Sequence, residues 1–253
     1  MFKNVIVKKP CSSMIDGLSS ANLGKPNFQL AMQQHEVYIE TLKKCGVSVT
    51  VLEADENYPD SCFIEDVALL TKECAIITRP GATSRRGEIV GLRETLEKFY
   101  KNIENIEAPG TIEAGDIMMV GNHFYIGLSA RTNEDGAKQM IRILNKYGLS
   151  GSMVTLEKVL HLKTGLAYLE NNNLLVAGEF VHSPIFSSFN KIVIDERESY
   201  SANCIWLNGH VIVPLGYENT KKAIEDLGYI VHEVDTSEFR KLDGGLSCLS
   251  LRF

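Results

Sequence analysis

One pattern recurs along this chain: two short strand-like runs joined by a polar turn, then an apolar stripe at helical spacing, then another short apolar run. Such a unit cannot bury its own apolar faces and has to stack on neighbouring copies, so the repeat governs the fold before any single residue does. The first pair is Cys62–Arg79, turning at Thr71-Lys72-Glu73, and the second is Ile112–Ser129, turning at Gly121-Asn122. The third, Gly165–Gly178, turns at Asn171-Asn172-Asn173; the fourth, Asn203–Leu215, turns at Asn208-Gly209, the strongest short hairpin signal.

The segments after each pair also repeat. Ser84–Tyr100 carries Ile89, Leu92, Leu96 and Phe99 at helical spacing, and Asn133–Tyr147 carries Ala137, Met140, Ile141 and Leu144 likewise. Short apolar segments come next at Ile103–Ile106 and Ser152–Thr155, and the fourth pair leads to a helix over Glu218–Leu227 and a strand over Tyr229–Val234. The third copy is the least regular, because Pro184–Asn190 is too short for a full helix before the strand Lys191–Ile194. The remaining ends supply a strand Leu246–Phe253, a strand Phe2–Lys8, a helix Asn27–Cys45 and a strand Val47–Leu52, which together make a fifth unit. Five units in 253 residues, about 51 residues apiece, point to a closed α/β ring, and closure by the two ends removes exposed sheet edges. No Pro- or Ser-rich linker divides the chain, so residues 1–253 are expected to form a single domain.

Composition narrows the partners. With 26 basic and 32 acidic residues the formal charge is -6, and the lysine pairs Lys8-Lys9, Lys43-Lys44 and Lys221-Lys222 are isolated, so no stripe exists for counterion release from a nucleic acid. No apolar run has the length of a membrane span, and Met1–Pro10 lacks the apolar core of a secretory signal. The expected setting is therefore cytoplasmic, with neither nucleic acid nor membrane as partner. The six cysteines are irregularly spaced and should be thiols; Cys11, Cys45, Cys62, Cys74 and Cys204 are expected to serve as small buried hydrophobes. Cysteine and histidine show no zinc-ligand spacing, and His35, His123, His182, His210 and His232 are expected to stand without ligand-type companions.

Near the start of successive units, where side chains should face the ring axis, the sequence places Glu65-Asp66, Glu113 with Asp116, His161 and Cys248. These are the types that thiol-based catalysis requires: a nucleophilic sulfur, a side chain that exchanges protons near neutrality, and carboxylates that hold a cation and orient the imidazole. Two adjacent acids within the apolar run Phe63–Leu70 would be costly to bury without such a role.

The segments Phe63–Val67 (FIEDV), Ile77–Arg86 (ITRPGATSRR), Glu113–Asp116 (EAGD), Ile126–Thr132 (IGLSART), His161–Lys163 (HLK) and Leu242–Cys248 (LDGGLSC) resemble, in order and spacing, the dimethylarginine dimethylaminohydrolase family of guanidine-modifying enzymes. The resemblance spans essentially the whole chain. It implies a five-bladed α/β propeller, the pentein fold, with hairpin-helix-strand units around a pseudo-fivefold axis. It implies that Cys248 attacks the guanidinium carbon, that His161 is general acid and base, and that Glu113 aligns the histidine. Asp66 would hydrogen-bond the guanidinium, with Asp60, Phe63 and Glu65 in the same wall. Arg85 and Arg131 match the clamp for the substrate carboxylate, and the carbonyls of Leu18 and Leu242 match positions closing over the amino-acid end. The implied reaction converts Nω-methylated L-arginine to L-citrulline and a methylamine without cofactor or metal, in a monomer or homodimer.

Two other readings share parts of this pattern. The same Cys, His and carboxylates would serve a citrulline or arginine hydrolase or deiminase, and Ala114 stands where the superfamily often has the first glycine of E-G-G-D. A non-catalytic propeller that binds a partner would have no need of Cys248, His161 and Glu113 together.

Overall fold

The computed structural model describes residues 1–253, and every anticipated turn joins an antiparallel strand pair. In chain order the elements are β1 (Asn4–Lys8), α1 (Phe28–Lys44), β2 (Ser48–Leu52), β3 (Ala68–Leu70), β4 (Ala75–Ile77), α2 (Leu92–Leu96) and β5 (Ile103–Asn105). Next come β6 (Ile117–Val120), β7 (His123–Leu128), α3 (Glu134–Lys146), β8 (Ser150–Thr155), β9 (Leu166–Tyr168), β10 (Asn173–Val176) and β11 (Asn190–Val193). The chain ends with β12 (Ile205–Leu207), β13 (His210–Pro214), α4 (Glu218–Glu225), β14 (Ile230–Val234), α5 (Ser237–Arg240) and β15 (Leu251–Arg252).

The strands form five three-stranded sheets: β15-β1-β2, β3-β4-β5, β6-β7-β8, β9-β10-β11 and β12-β13-β14. In each, the middle strand is antiparallel to one neighbour and parallel to the other. A tight turn suffices for the antiparallel partner, whereas the parallel partner needs a crossover, which the helical or turn segment of each unit provides. Both ends of the chain contribute to the sheet β15-β1-β2, with Val5 opposite Arg252 and Asn4 opposite Ser48.

Local chemistry sets several boundaries. Asn27 caps α1 by accepting from Leu30 N–H at 3.1 Å, and Asn133 caps α3 by accepting from Gly136 N–H at 2.8 Å. The helix expected over Ser84–Tyr100 is instead a 3-10 stretch, Thr83–Ile89, succeeded by the short α2. The break falls at Gly91, whose φ of 76° a right-handed helix cannot accommodate. The third unit holds only 3-10 turns at Gly178–Phe180 and Pro184–Phe186. The strand expected over Leu246–Phe253 shrinks to β15, because Ser247–Leu249 form a 3-10 turn. Ser247 N–H there donates to Asn203 Oδ1 at 2.8 Å and Cys248 N–H to the Gly245 carbonyl at 3.2 Å.

The chain divides into two compact units, one of Met1–Ile64 with Gly165–Phe253 and one of Glu65–Thr164. In the first, α1 lays Ala31, Tyr38 and Leu42 against Val5, Val7, Phe63, Phe239, Leu246 and Leu249. A second cluster there joins Leu175, Ala177, Val211, Val213 and Ile224. In the unit of Glu65–Thr164, α3 buries Ala137, Met140 and Leu144 against Ile76, Ile112, Phe124 and Ile126. Each fully buried Leu or Met contributes about 1.5–3 kcal/mol.

Five thiols are buried as expected and Cys248 is half-buried. One expectation is corrected. His210 and His232 do have ligand-type companions: Nδ1 of His210 lies 3.0 Å from Nε2 of His232, and Cys45 lies beside them. The parallel register of β13 on β14 brings them together, and their separation in sequence conceals it. No helix is long and apolar enough to cross a membrane.

Candidate active site

Within Glu65–Thr164, four segments adjoining strands deliver charged side chains to one buried cluster. Ile64–Val67 is a 3-10 turn entering β3, and it carries Glu65 and Asp66. Ala114–Asp116 is an equivalent turn entering β6, with Glu113 in extended conformation just before it. Arg131 comes after β7, and His161 immediately precedes the turn Leu162–Thr164. Asp66, Glu113 and His161, far apart in sequence, thus each stand just ahead of a strand.

Glu113 is fully buried and is the hub of the cluster. Its Oε2 lies 2.8 Å from His161 Nε2, its Oε1 accepts from Ala82 N–H at 3.2 Å, and Arg131 Nη1 approaches Oε1 at 3.3 Å. Asp66 accepts from Gly115 N–H at 3.0 Å on one oxygen and from Arg85 Nη1 at 2.6 Å on the other. Ligand atoms of Asp66, Glu113 and His161 lie within 4.8 Å of one another.

These neighbours decide the protonation states. Burial alone would push the His161 pKa down, but Asp66, the hydrogen bond to Glu113 and the charges of Asp116 and Glu113 outweigh it and raise it to about 9. Burial likewise works against ionised Glu113, yet its bond to His161 and the charges of Arg85, His161 and Arg131 hold it below the usual carboxylate range. At neutral pH the pair is an imidazolium and a carboxylate. The imidazolium has a proton to give, and once it has given it the carboxylates restore its basicity.

Asp116 positions this pair without touching the His161 ring. It is fully buried and accepts from Leu162 N–H at 3.0 Å, Ser129 Oγ at 2.7 Å and Thr132 Oγ1 at 2.6 Å. It therefore ties the segment after β7 to the residue next to His161. Burial raises its pKa despite those bonds. Arg85 is buried; Nε and Nη2 engage Glu88 at 2.9 and 2.8 Å and Nη1 engages Asp66. Arg131 is more open than Arg85. Glu65 forms an ion pair with Lys163 at 2.6 Å. Ser129, Thr132 and Glu88 were not singled out from the sequence. The spacing of Glu88 three residues after Arg85 is the one signal by which sequence could have found it.

The other unit carries the thiol. Cys248 sits in the 3-10 turn after Asp243-Gly244-Gly245, where Gly245 N–H donates to Sγ at 3.4 Å. Tyr38 on α1 braces this turn, its hydroxyl donating to the Leu246 carbonyl at 3.0 Å and lying 2.7 Å from Ser250 Oγ. Gly244 is required by close approach, since a Cβ there would lie 2.2 Å from Phe63 Cε1. Phe63 is in turn packed edge-on to Phe239 with centroids 6.3 Å apart.

The remaining candidates of this unit gather along one loop. Leu18 N–H donates to buried Asp60 Oδ1 at 2.9 Å, and the Phe63 N–H donates to the Asp60 carbonyl at 2.9 Å. Ser19 Oγ donates to the Lys241 carbonyl at 2.6 Å and Ser20 N–H to Asp243 Oδ2 at 2.6 Å, so the segment after Gly17 is fastened on either side of Leu242. Asp60, Phe63, Leu18 and Leu242 thus belong to one neighbourhood.

Known proteins match this chain along its length. The family model described as N,N dimethylarginine dimethylhydrolase, eukaryotic, matches residues 19–186. The chain is 63% identical to an N(G),N(G)-dimethylarginine dimethylaminohydrolase of Pseudomonas aeruginosa, over 100% of both chains. It is 31% identical to the protein of that name in Streptomyces coelicolor, over 99% and 96%. A cysteine-to-serine mutant of the Pseudomonas aeruginosa protein, complexed with citrulline, superposes with a TM-score of 0.99 at 62% identity over 100% of both chains. The N-terminal domain of ArgZ, a cyanobacterial arginine dihydrolase, shares the fold, with a TM-score of 0.90 at 20% identity over 100% of this chain and 97% of the domain. By full-length identity and by the family model, this chain belongs to the dimethylarginine dimethylaminohydrolase family.

Proposed function

We infer that this protein hydrolyses Nω-methylated L-arginine, dimethylated or monomethylated, to L-citrulline and a methylamine, as an enzyme acting on the C–N bond of a linear amidine. The observation that carries the reading is the buried His161–Glu113 pair, poised to give a proton at neutral pH in a chain of this family.

A guanidinium carbon is a weak electrophile because its charge is delocalised. In the proposed mechanism the thiolate of Cys248 adds to that carbon, and the imidazolium of His161 protonates the departing amine as the C–N bond breaks. The remaining species is an amidino-thioether on Cys248. Neutral His161 then takes a proton from water as it adds to the same carbon, the C–S bond breaks, and citrulline leaves with the thiolate restored. Proton transfer of this kind is worth on the order of 10²–10⁴ in rate.

The other residues serve binding. Asp66 and Glu65 offset the substrate cation, and each oxygen of Asp66 keeps a lone pair beyond its contact with Gly115 or Arg85. Arg131, the more open of the two arginines, receives the substrate carboxylate together with Arg85, which Asp66 and Glu88 hold in place. The carbonyls of Leu18 and Leu242, with Asp60 and Phe63, take the amino-acid end. This reading includes one closed five-bladed propeller in a single domain, present in the cytoplasm as a monomer or homodimer. The five sheets with one shared pairing pattern support its five repeated units.

The decisive experiment incubates the protein with asymmetric dimethylarginine, monomethylarginine, arginine, citrulline and agmatine and measures amine or ammonia release with ureido product. Methylated arginines should turn over fastest, and Cys248→Ser should lose turnover while still binding substrate. Turnover of arginine or citrulline alone reassigns the substrate; a wild-type rate in Cys248→Ser removes the cysteine from the mechanism.

A further inference from the structure

In the unit of Met1–Ile64 with Gly165–Phe253, three ligand-type side chains that the proposed chemistry does not use converge on one sheet face. Parallel pairing sets His210 opposite Ile230 and Ile212 opposite His232, so the two histidines are diagonal neighbours on the same side of β13 and β14. Ile212 and Val234 on that side pack in the cluster that includes Cys45, the residue capping the C-terminus of α1. One ligand atom from each of Cys45, His210 and His232 lies within 4.8 Å of the other two, and the imidazoles are stacked with centroids 5.1 Å apart.

The surroundings hold this trio in place. Asn208, at the tip of the β12–β13 hairpin with φ of 55°, donates to the Cys45 carbonyl at 3.3 Å and to the Phe2 carbonyl at 2.9 Å, and accepts from Phe2 N–H at 2.8 Å. The residue two before His210 is thereby fastened to the residue carrying the thiol. The carbonyl end of α1 also favours positive charge.

We propose that Cys45, His210 and His232 form a binding site for a divalent zinc-type transition metal, separate from the catalytic residues, with the fourth coordination position left to water. Imidazole and thiolate together suit zinc, whose N and S ligands stand about 2.0–2.3 Å from the metal, so the nitrogens and sulfur need only small side-chain adjustments. Binding breaks the Cys45 S–H bond and its contact with the Thr41 carbonyl at 3.3 Å, releasing one proton. The imidazole that now donates across the 3.0 Å gap shifts its proton to its other ring nitrogen, so Zn²⁺, one thiol and two neutral imidazoles give a monocationic complex and one H⁺. Burial pushes the Cys45 thiol up to about 11, so affinity should rise with pH. Burial, His210 and Lys44 lower the His232 pKa, favouring the neutral, ligating imidazole. The Lys44 charge itself opposes the cation.

The test uses the full chain carrying Cys248→Ser, which removes the half-buried thiol from the readout. Titration with Co²⁺ should produce a sulfur-to-cobalt charge-transfer band that saturates at one equivalent and disappears on adding zinc. The Asp66, Glu113 and His161 group offers no sulfur and cannot produce that band. Adding Cys45→Ser should abolish it. His210→Gln and His232→Gln, each checked for an unchanged melting temperature without metal, should weaken zinc binding by more than about 10-fold against a chromophoric chelator. No band, a band that survives Cys45→Ser, or zinc affinity unchanged in both histidine variants overturns the proposal. So does a metal-free Cys45→Ser chain that melts as the parent does and still takes up cobalt with the same band.

Discussion

Replacing Glu113 by Gln changes one charge and almost no volume, and it isolates one of the interactions that hold the proton on His161, the hydrogen bond to the carboxylate. The raised folded pKa of about 9, against 6.5 in an unfolded chain, corresponds to roughly 3 kcal/mol of stability. Because the folded value lies above the unfolded one, that contribution is fully present below about pH 6.5 and is lost as the pH rises through 9. The 2.8 Å contact with Glu113 is a charge-assisted hydrogen bond, a type worth about 1.5–3 kcal/mol. Its loss should move the His161 titration down by about 1–2 pH units, while Asp66 and Asp116 retain the rest of the elevation. Urea unfolding of both proteins from pH 5.5 to 10 should show the alkaline loss of stability shift accordingly in Glu113→Gln. The alkaline limb of amine release should shift with it. If the variant loses stability over the same pH range as the wild type, another group holds that proton and the assignment of Glu113 is wrong.

Further perturbations test the parts separately. Gly244→Ala forces a Cβ into the ring of Phe63 and should lower stability by about 1–3 kcal/mol, read as a fall in urea midpoint. Tyr38→Phe removes the hydroxyl that braces Leu246 and Ser250 and should cost about 1–2 kcal/mol; an unchanged midpoint would show that the brace is idle. Arg131→Lys gives up the planar fork and should raise KM by about 10-fold or more with a smaller change in kcat, because the carboxylate it holds is remote from the reacting carbon.

Much of the fold was legible because it is carried by local patterns. Alternating apolar residues, Asn-Gly and Asn-rich turns, and Asn27 and Asn133 before their helices all act over a few residues. The late start of the last strand, beyond Cys248, was not legible, since the turn before it depends on Asn203, which is distant in sequence and satisfies the Ser247 N–H. The split of Ser84–Tyr100 was missed because apolar spacing continues across Gly91 although its backbone does not. The charged candidates could be picked out one at a time. Their protonation states could not, because Glu113, Asp116 and His161 act on one another only after the turns before β6 and after β8 are folded. The pairing of His210 with His232 escaped for the same reason, as strand register is not written at either position.

The sheet β15-β1-β2 has a consequence for biosynthesis. β1 can dock on β2 early, but its other edge stays open until β15 has been made, since Val5 pairs with Arg252 and Ile6 with Leu251. The nucleophile turn at Ser247–Leu249 lies just ahead of that last strand and is braced by α1, made long before. Until β15 is made, the nascent chain therefore carries an unmatched edge on β1, the kind of surface that invites wrong pairings. Completion of this sheet and arrival of the reactive sulfur are coupled, so a prematurely terminated product would lack both.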